Sequence, residues 1–159
     1  MNIWKIRNWE HFYDLHPGRK GIRVRYDKNV DSEVKRAIHD CIVWLRSEYK
    51  FPKRVNVYVK GKRRIRATNG DKVCGTFFRP ADREKEPYIK LATGDYHELL
   101  DEFGKDNALA AILNTMIHEL THYFQWLNDL SLTLTGEERQ ATIYASRIIG
   151  EYAQTRDHP

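Results

Sequence analysis

The sequence predicts a single α+β domain in which a small, mostly antiparallel sheet and an N-terminal helix precede two packed helices. The chain has 159 residues, 41% of them hydrophobic, which is enough for one domain with a substantial core. Short segments before Gly94 alternate apolar and polar side chains, as half-buried strands do. After Gly94 the apolar residues recur at helical spacing, so the strands come first and the helices last.

The first part of the chain contains the predicted sheet and the N-terminal helix. Three segments alternate as strands: residues 21–26, 54–60 and 87–93. Residues 31–49 carry an apolar stripe at helical spacing, and Asp31 or Ser32 can cap that helix. Asn69-Gly70 is a favoured tight-turn pair, which predicts a hairpin between residues 63–68 and 73–79.

The last part of the chain is predicted to be helical. A short helix covers residues 96–103 and is interrupted at Gly104. Residues 107–129 are apolar on nearly all sides, which indicates a helix buried in the centre of the domain. Residues 135–138 read Thr-Gly-Glu-Glu, the pattern of a capping box, so a final helix is expected from there to about Ala153.

Composition argues against several classes of protein. The chain has no run of about 18 apolar residues, so no membrane span is predicted. Residues 1–7 lack the apolar centre of a signal peptide, and we therefore expect a cytoplasmic protein. Cys41 and Cys74 are too few for a disulfide framework and are expected to be free thiols in a reducing compartment.

The net charge of +5 combines two regions of opposite sign. Residues 1–90 carry 23 Lys and Arg against 11 Asp and Glu, whereas residues 91–159 carry 4 against 11. The basic region could bind nucleic acid, and its candidate face comprises Lys62, Arg63, Arg64 and Arg66. The alternative is a sheet edge protected by solvated cations, which we favour because no recognised nucleic-acid motif accompanies the charge.

The predicted buried helix contains the sequence His118-Glu119-Leu120-Thr121-His122. Histidines four residues apart project from one helix face, so both can reach one metal ion at about 2.0–2.1 Å. Glu119 lies roughly 100° around the helix, where it can hold a metal-bound water rather than ligate the ion. The motif predicts a zinc site with Glu119 as general base. The alternative is a pair of satisfied core histidines beside a surface carboxylate.

A catalytic zinc site needs a third protein ligand. Downstream of the motif only His158 remains, in a tail expected to fray, which leaves carboxylates. Glu137 and Glu138 both fall in the first turn of the final helix. We prefer Glu138, because its helix face continues through small residues that permit close helix packing: Ala141, Thr142 and Ala145. Glu137 is the main alternative, and N-capping would also explain the position of Glu138.

The pattern His118-Glu119-x-x-His122, followed by Glu138-x-x-Ala141, resembles that of the gluzincin zinc metallopeptidases. The element order is similar to that of the ImmA/IrrE group and, more loosely, of SprT-like and minimal gluzincin domains. The resemblance implies a zincin-like fold and an endopeptidase that hydrolyses protein or peptide substrates through a zinc-bound water. It also implies that the strand at residues 87–93 borders the cleft and pairs with the substrate. The alternative function is a proteolytically inactive zincin-like module that binds nucleic acid or protein.

Further residues are candidates for completing the site. Three lie near the zinc-facing stripe of the helix and could orient the histidines: Thr115, Gln125 and Asp129. A donor that stabilises the oxyanion is also expected, and the candidates are Tyr144, Tyr123 and His97. A tyrosine on a helix is more often part of the core.

Overall fold

The computed structural model describes residues 2–6, 8, 10–11, 15 and 17–159. Residues 17–159 form the following elements: β1 (Ile22–Tyr26), α1 (Ser32–Glu48), β2 (Val55–Lys60), β3 (Ile65–Arg66), β4 (Lys72–Val73), β5 (Gly75–Phe78), β6 (Tyr88–Ala92), α2 (Tyr96–Phe103), α3 (Lys105–Leu127) and α4 (Leu134–Ala153). The α+β class is confirmed. No helix among the described residues is both long and apolar enough to cross a bilayer.

The main sheet has the strand order β1-β2-β6-β5. The β1–β2 and β2–β6 pairs are parallel, and only β5 runs antiparallel to its neighbour β6. The prediction of a mostly antiparallel sheet was therefore wrong. Helix α1 is the crossover that returns the chain for a parallel β2, and apolar alternation along a strand carries no information on strand direction.

One core cluster runs from Ile3 to Tyr152 and lies between the sheet and the helices. The sheet contributes alternate residues of its two interior strands, and these are fully buried: Val55, Val57, Val59, Ile89 and Leu91. Helix α3 is buried along most of its length and contacts α1, α2, α4, β5 and β6. The prediction of a central buried helix is confirmed, and His118, Glu119 and His122 lie on this helix.

The ends of the helices agree in part with the capping patterns read from the sequence. Asp31 caps α1 by accepting from the Glu33 N–H, and Gly104 separates α2 from α3 with φ +83°. Helix α4 begins earlier than predicted, because Thr133 rather than Thr135 is its cap and accepts from the Gly136 N–H. The predicted capping box is thus corrected.

The predicted hairpin is present but short. Strands β3 and β4 pair only through Ile65 with Val73 and Arg66 with Lys72. Residues 75–78 leave this hairpin and instead pair with β6 in the main sheet. The strand predicted at residues 73–79 is therefore divided between two sheets. Its second part lies directly against α3, which contains His118 and His122.

Candidate metal centre

Helices α3 and α4 bring the three predicted ligand side chains together. His118 and His122 project from one face of α3, with ring centroids 5.0 Å apart. Glu138 reaches both from the first two turns of α4: Oε2 lies 3.0 Å from His118 Nε2, and Oε1 lies 3.0 Å from His122 Nε2. The potential ligand atoms of all three residues lie within 4.8 Å of one another.

The close packing of α4 on α3 places Glu138 there. Ala141 and Ala145 are fully buried on the α4 face that continues from Glu138. Their small side chains allow the two helix backbones to approach. Thr133 fixes where α4 begins, so the first two turns lie beside the histidines. The small residues were recognised in the sequence, which is why Glu138 could be proposed, although Thr142 of that predicted face is exposed and the cap at Thr133 was not predicted.

Glu137, the alternative third ligand, has a different partner. Its carboxylate receives two hydrogen bonds from the Arg79 guanidinium, with Nη1–Oε1 2.8 Å and Nη2–Oε2 3.3 Å. Adjacent residues on a helix point about 100° apart. When Arg79 binds Glu137, the carboxylate of Glu138 is therefore the one directed toward the histidines.

Gln125 fixes the orientation of the His122 ring. Its amide nitrogen donates to the Glu137 carbonyl and to Gln140 Oε1, both at 2.9 Å, which leaves the amide oxygen as an acceptor. That oxygen lies 2.7 Å from His122 Nδ1, so Nδ1 is the protonated nitrogen. The lone pair of Nε2 then points toward Glu138. Gln125 was predicted as a partner of a histidine, and the structure places it in that position.

The tautomer of His122 makes the contact with Glu138 informative. In the neutral ring, Nε2 and the facing carboxylate oxygen are both acceptors, only 3.0 Å apart. Two acceptors at this distance repel each other unless a proton or a metal cation lies between them. Burial, reinforced by neighbouring His122, lowers the pKa of His118 despite the opposing effect of Glu138. A lowered pKa favours the neutral imidazole, the form that binds metals.

Glu119 lies in the cleft beside the ligand group and is 8% exposed. Burial, followed by repulsion from Glu138, raises the pKa of Glu119 to about 8. Gly75 of β5 lies directly against it. A Cβ atom at position 75 would be 2.8 Å from Thr115 Cγ2 and 3.2 Å from Glu119 Oε1. A residue without a side chain is therefore required where β5 crosses α3.

These residues border a cleft of about 470 Å³. Glu119, His122 and Glu138 line it from the helices, and Gly75, Thr76 and Phe77 line it from β5. Strand β5 is the edge strand, and among the described residues its backbone pairs only with β6. The prediction that residues 87–93 border the cleft is corrected: β6 is interior, and β5 lies at the cleft.

Several predicted site residues lie away from the histidines. Thr115 Oγ1 donates to the Ala111 carbonyl in its own helix. Asp129 follows the end of α3 with φ +52°, close enough to Arg83 to affect that side chain electrostatically. These two were expected to orient the histidines, but one lies a full turn before His118 and the other lies beyond the helix.

The predicted oxyanion donors also lie elsewhere. The Tyr144 hydroxyl accepts from the Ile3 N–H at 3.3 Å, on the face of α4 that packs on the N-terminal segment. The Tyr123 hydroxyl donates to the Lys53 carbonyl within the core. His97 is exposed on α2 and lies 3.3 Å from Asp31. None of these three side chains borders the cleft that Glu119 lines.

The predicted basic residues lie in and beside the β3–β4 hairpin, outside the cleft that Glu119 borders. The hairpin contributes Ala67 and Val73 to that cleft, and Ile65, Arg66 and Lys72 to a second hollow. That second hollow also contains the other predicted basic residues: Lys62, Arg63 and Arg64.

Arg79 and Gly75 were not identified from the sequence. Arg79 binds Glu137, which lies 58 residues later in the chain. No rule of sequence spacing connects two residues so far apart. Gly75 lies inside the strand predicted at residues 73–79, and nothing in the sequence indicates that this strand packs against Thr115 and Glu119 of α3.

Comparisons with family models, curated proteins and solved structures gave no match to this chain. The functional interpretation therefore rests on the geometry of the site.

Proposed function

We propose that this chain is a zinc-dependent metallopeptidase of gluzincin type, with His118, His122 and Glu138 as zinc ligands and Glu119 as general base. The observation that carries the proposal is the contact of the His122 Nε2 lone pair with a carboxylate oxygen at 3.0 Å. Gln125 holds the proton of the neutral ring on Nδ1, so a second proton or a metal cation is needed between the facing atoms. A metal ion is favoured because His118 and His122 both direct Nε2 toward the same carboxylate, and the potential ligand atoms of the three residues lie within 4.8 Å of one another.

The donor set and its dimensions fit zinc. Two imidazole nitrogens and one carboxylate make up a common catalytic zinc site, with the fourth position left for water. Bonds of about 2.0–2.1 Å in a tetrahedron place ligand atoms about 3.3 Å apart. The two histidine–carboxylate separations are 3.0 Å, so small side-chain movements would accommodate the ion. Gln125 also supplies the hydrogen bond that ligand histidines require from a neighbouring group.

Glu119 is placed to transfer protons during peptide hydrolysis. A bound zinc ion would supply a water of lowered pKa and polarise the peptide carbonyl. The carboxyl group of Glu119 borders the same cleft as His122 and Glu138. From that position Glu119 could take a proton from the bound water and deliver it to the departing amine.

The free edge of β5 supports a peptide as the substrate. An extended peptide can add to an exposed sheet edge through main-chain hydrogen bonds. Gly75, Thr76 and Phe77 belong to an edge strand and line the same cleft as Glu119. A peptide paired there would run through the cleft with its carbonyl groups facing the ligand residues.

Metal analysis of four proteins, combined with cleavage of a randomised fluorogenic peptide library, tests the proposal. We expect about one zinc per chain in the wild type, in Glu119→Gln and in Glu137→Ala, and little zinc in Glu138→Ala. Only Glu119→Gln among the zinc-loaded proteins should lose cleavage entirely. A wild type without zinc would refute the site, zinc-loaded wild type without cleavage would refute the activity, and full activity of Glu119→Gln would refute the mechanism.

A further inference from the structure

The face of the main sheet that points away from the core carries a row of aromatic side chains. Register places Phe78 beside Tyr88, and Tyr88 beside Asn56. The next row contains Lys90 and Tyr58, which are also paired. The rings of Tyr58, Phe78 and Tyr88 are partly exposed and do not belong to the core cluster.

These rings contact one another across three adjacent strands. Phe78 stacks on Tyr88 with centroids 4.7 Å apart, and Tyr58 meets Tyr88 edge-on at 5.9 Å. Lys60 and Lys90 flank them, each with its ammonium nitrogen about 6 Å from a tyrosine centroid. Arg23 and Arg25 project from β1 in the same two rows, since they pair with Asn56 and Tyr58. The face therefore alternates aromatic and cationic side chains.

A basic hollow of about 660 Å³ lies beside this platform. It is bordered by seven Lys and Arg side chains and Ile65, and no carboxylate borders it among the described residues. Lys60 and Lys90 belong both to the hollow and to the aromatic platform. The two features therefore form one continuous surface.

Part of the positive charge in the hollow is balanced, and part is not. Arg63 pairs with Glu98, Arg64 lies 3.2 Å from Asp95, and Lys60 lies 3.6 Å from Asp27. For Lys62, Arg66 and Lys72, no ion pair is found in the part of the chain that the structure describes. Unbalanced cations that converge on one hollow favour an anionic ligand.

Protection of a sheet edge does not explain this surface. Lysines on edge strands discourage pairing between molecules. Lys60 and Lys90, however, belong to β2 and β6, the two interior strands of the main sheet. Lys90 is paired on both sides, with Tyr58 and with Thr76, and Lys60 is the last residue of its strand and pairs with Ala92. Neither residue belongs to an edge strand. The preference for edge protection drawn from the sequence therefore does not apply to these two residues.

We propose that this surface binds single-stranded nucleic acid, with the phosphates in the basic hollow and unpaired bases against Tyr58, Tyr88 and Phe78. Proteins that bind single strands combine a basic groove with aromatic side chains on which bases stack. A duplex would keep its bases inside the helix and leave the rings unused. An acidic peptide would engage the cations but has no planar groups to stack on the rings. The inference is independent of the metal site.

Fluorescence anisotropy with labelled 12-nucleotide oligo(dT) and oligo(rU) tests the proposal. Three proteins are compared. They are the wild type, a charge variant (Lys62→Gln/Arg66→Gln/Lys72→Gln) and an aromatic variant (Tyr58→Ala/Tyr88→Ala). We expect the wild type to bind at least one strand type. The charge variant should lower the slope of log affinity against log salt by about 2, because each single-strand phosphate contact contributes about 0.7. The aromatic variant should weaken binding about five-fold or more with the slope unchanged.

Matched controls separate this surface from general electrostatic attraction. The triple variant Lys35→Gln/Lys50→Gln/Arg147→Gln removes the same charge from other parts of the chain, and Phe103→Ala removes an exposed ring from α2. Both should bind like the wild type, and circular dichroism should give folded spectra for all variants. Equal losses in both charge variants would overturn the proposal. The proposal would also be overturned if the wild type bound a 12-base-pair duplex or polyglutamate as tightly as the single strands. Binding of the aromatic variant with wild-type affinity would overturn it as well.

Discussion

Replacing Glu119 with glutamine changes one buried carboxyl group into an amide of nearly the same shape. Glu119 is 8% exposed, and its pKa is raised to about 8, first by burial and then by Glu138. The ordinary value for a glutamate is 4.5. Between these two values the unfolded chain has released the proton, whereas the folded, metal-free protein retains it.

The sign of the resulting stability change follows from this difference. Because the folded state binds the proton more tightly, the contribution of Glu119 is most favourable below pH 4.5 and is lost as the pH rises toward 8. The loss is at most about 1.4 kcal/mol per pH unit within that window. Between pH 5 and pH 8 it amounts to roughly 3–4 kcal/mol. Glutamine stays neutral throughout, so Glu119→Gln should avoid this loss.

Urea denaturation of metal-free wild type and Glu119→Gln at pH 5 and pH 8 measures the effect. The stability difference between the two proteins should shift by about 3–4 kcal/mol in favour of the variant at the higher pH. Glu102→Gln, which changes an exposed carboxylate on α2, should show no such shift. Added zinc should reduce the difference, because a nearby cation favours the ionised carboxylate. Parallel pH profiles for wild type and Glu119→Gln would refute the reasoning.

Three other substitutions have expected outcomes that depend on single contacts. Gln125→Ala removes the acceptor of the His122 Nδ1 proton, so zinc affinity measured by chelator competition should fall about 10- to 100-fold, and Gln125→Glu should retain more of it. Gly75→Ala introduces a Cβ 2.8 Å from Thr115 Cγ2 and should cost about 1–3 kcal/mol in urea denaturation, with partial recovery in Gly75→Ala/Thr115→Ser. Thr133→Ala should cost about 1 kcal/mol through loss of the α4 cap, and Thr135→Ala much less; equal costs would contradict the assignment of the cap.

Much of the ligand group could be predicted because its geometry is local. Histidines four residues apart share a helix face in any α-helix, and the apolar pattern of residues 107–129 indicated a buried helix. Small residues on α4 indicated close helix packing, which brings Glu138 to α3. The role of Gln125 is also local, since it lies three residues after His122 on the same helix.

The position of the sheet beside these residues could not be predicted from local sequence. Strand direction depends on how the chain crosses the sheet, and the alternation of apolar residues is the same for parallel and antiparallel strands. The sequence therefore gave no reason to place β5 rather than β6 at the edge. The Tyr144 hydroxyl was expected in the cleft, but it accepts from the N–H of Ile3, which lies 141 residues earlier in the chain. No local pattern predicts that contact.

The choice between Glu137 and Glu138 combines both kinds of information. Both carboxylates lie in the first two turns of α4, so nearness to α3 alone does not distinguish them. The buried face with Ala141 and Ala145 sets the rotation of α4 and turns Glu138 toward His118 and His122. The guanidinium of Arg79, which follows β5, binds Glu137 through two hydrogen bonds and so occupies the other carboxylate. Strand β5 thus contributes to the site in two ways: Gly75 admits Glu119, and Arg79 holds the neighbour of Glu138 away from the ligand position.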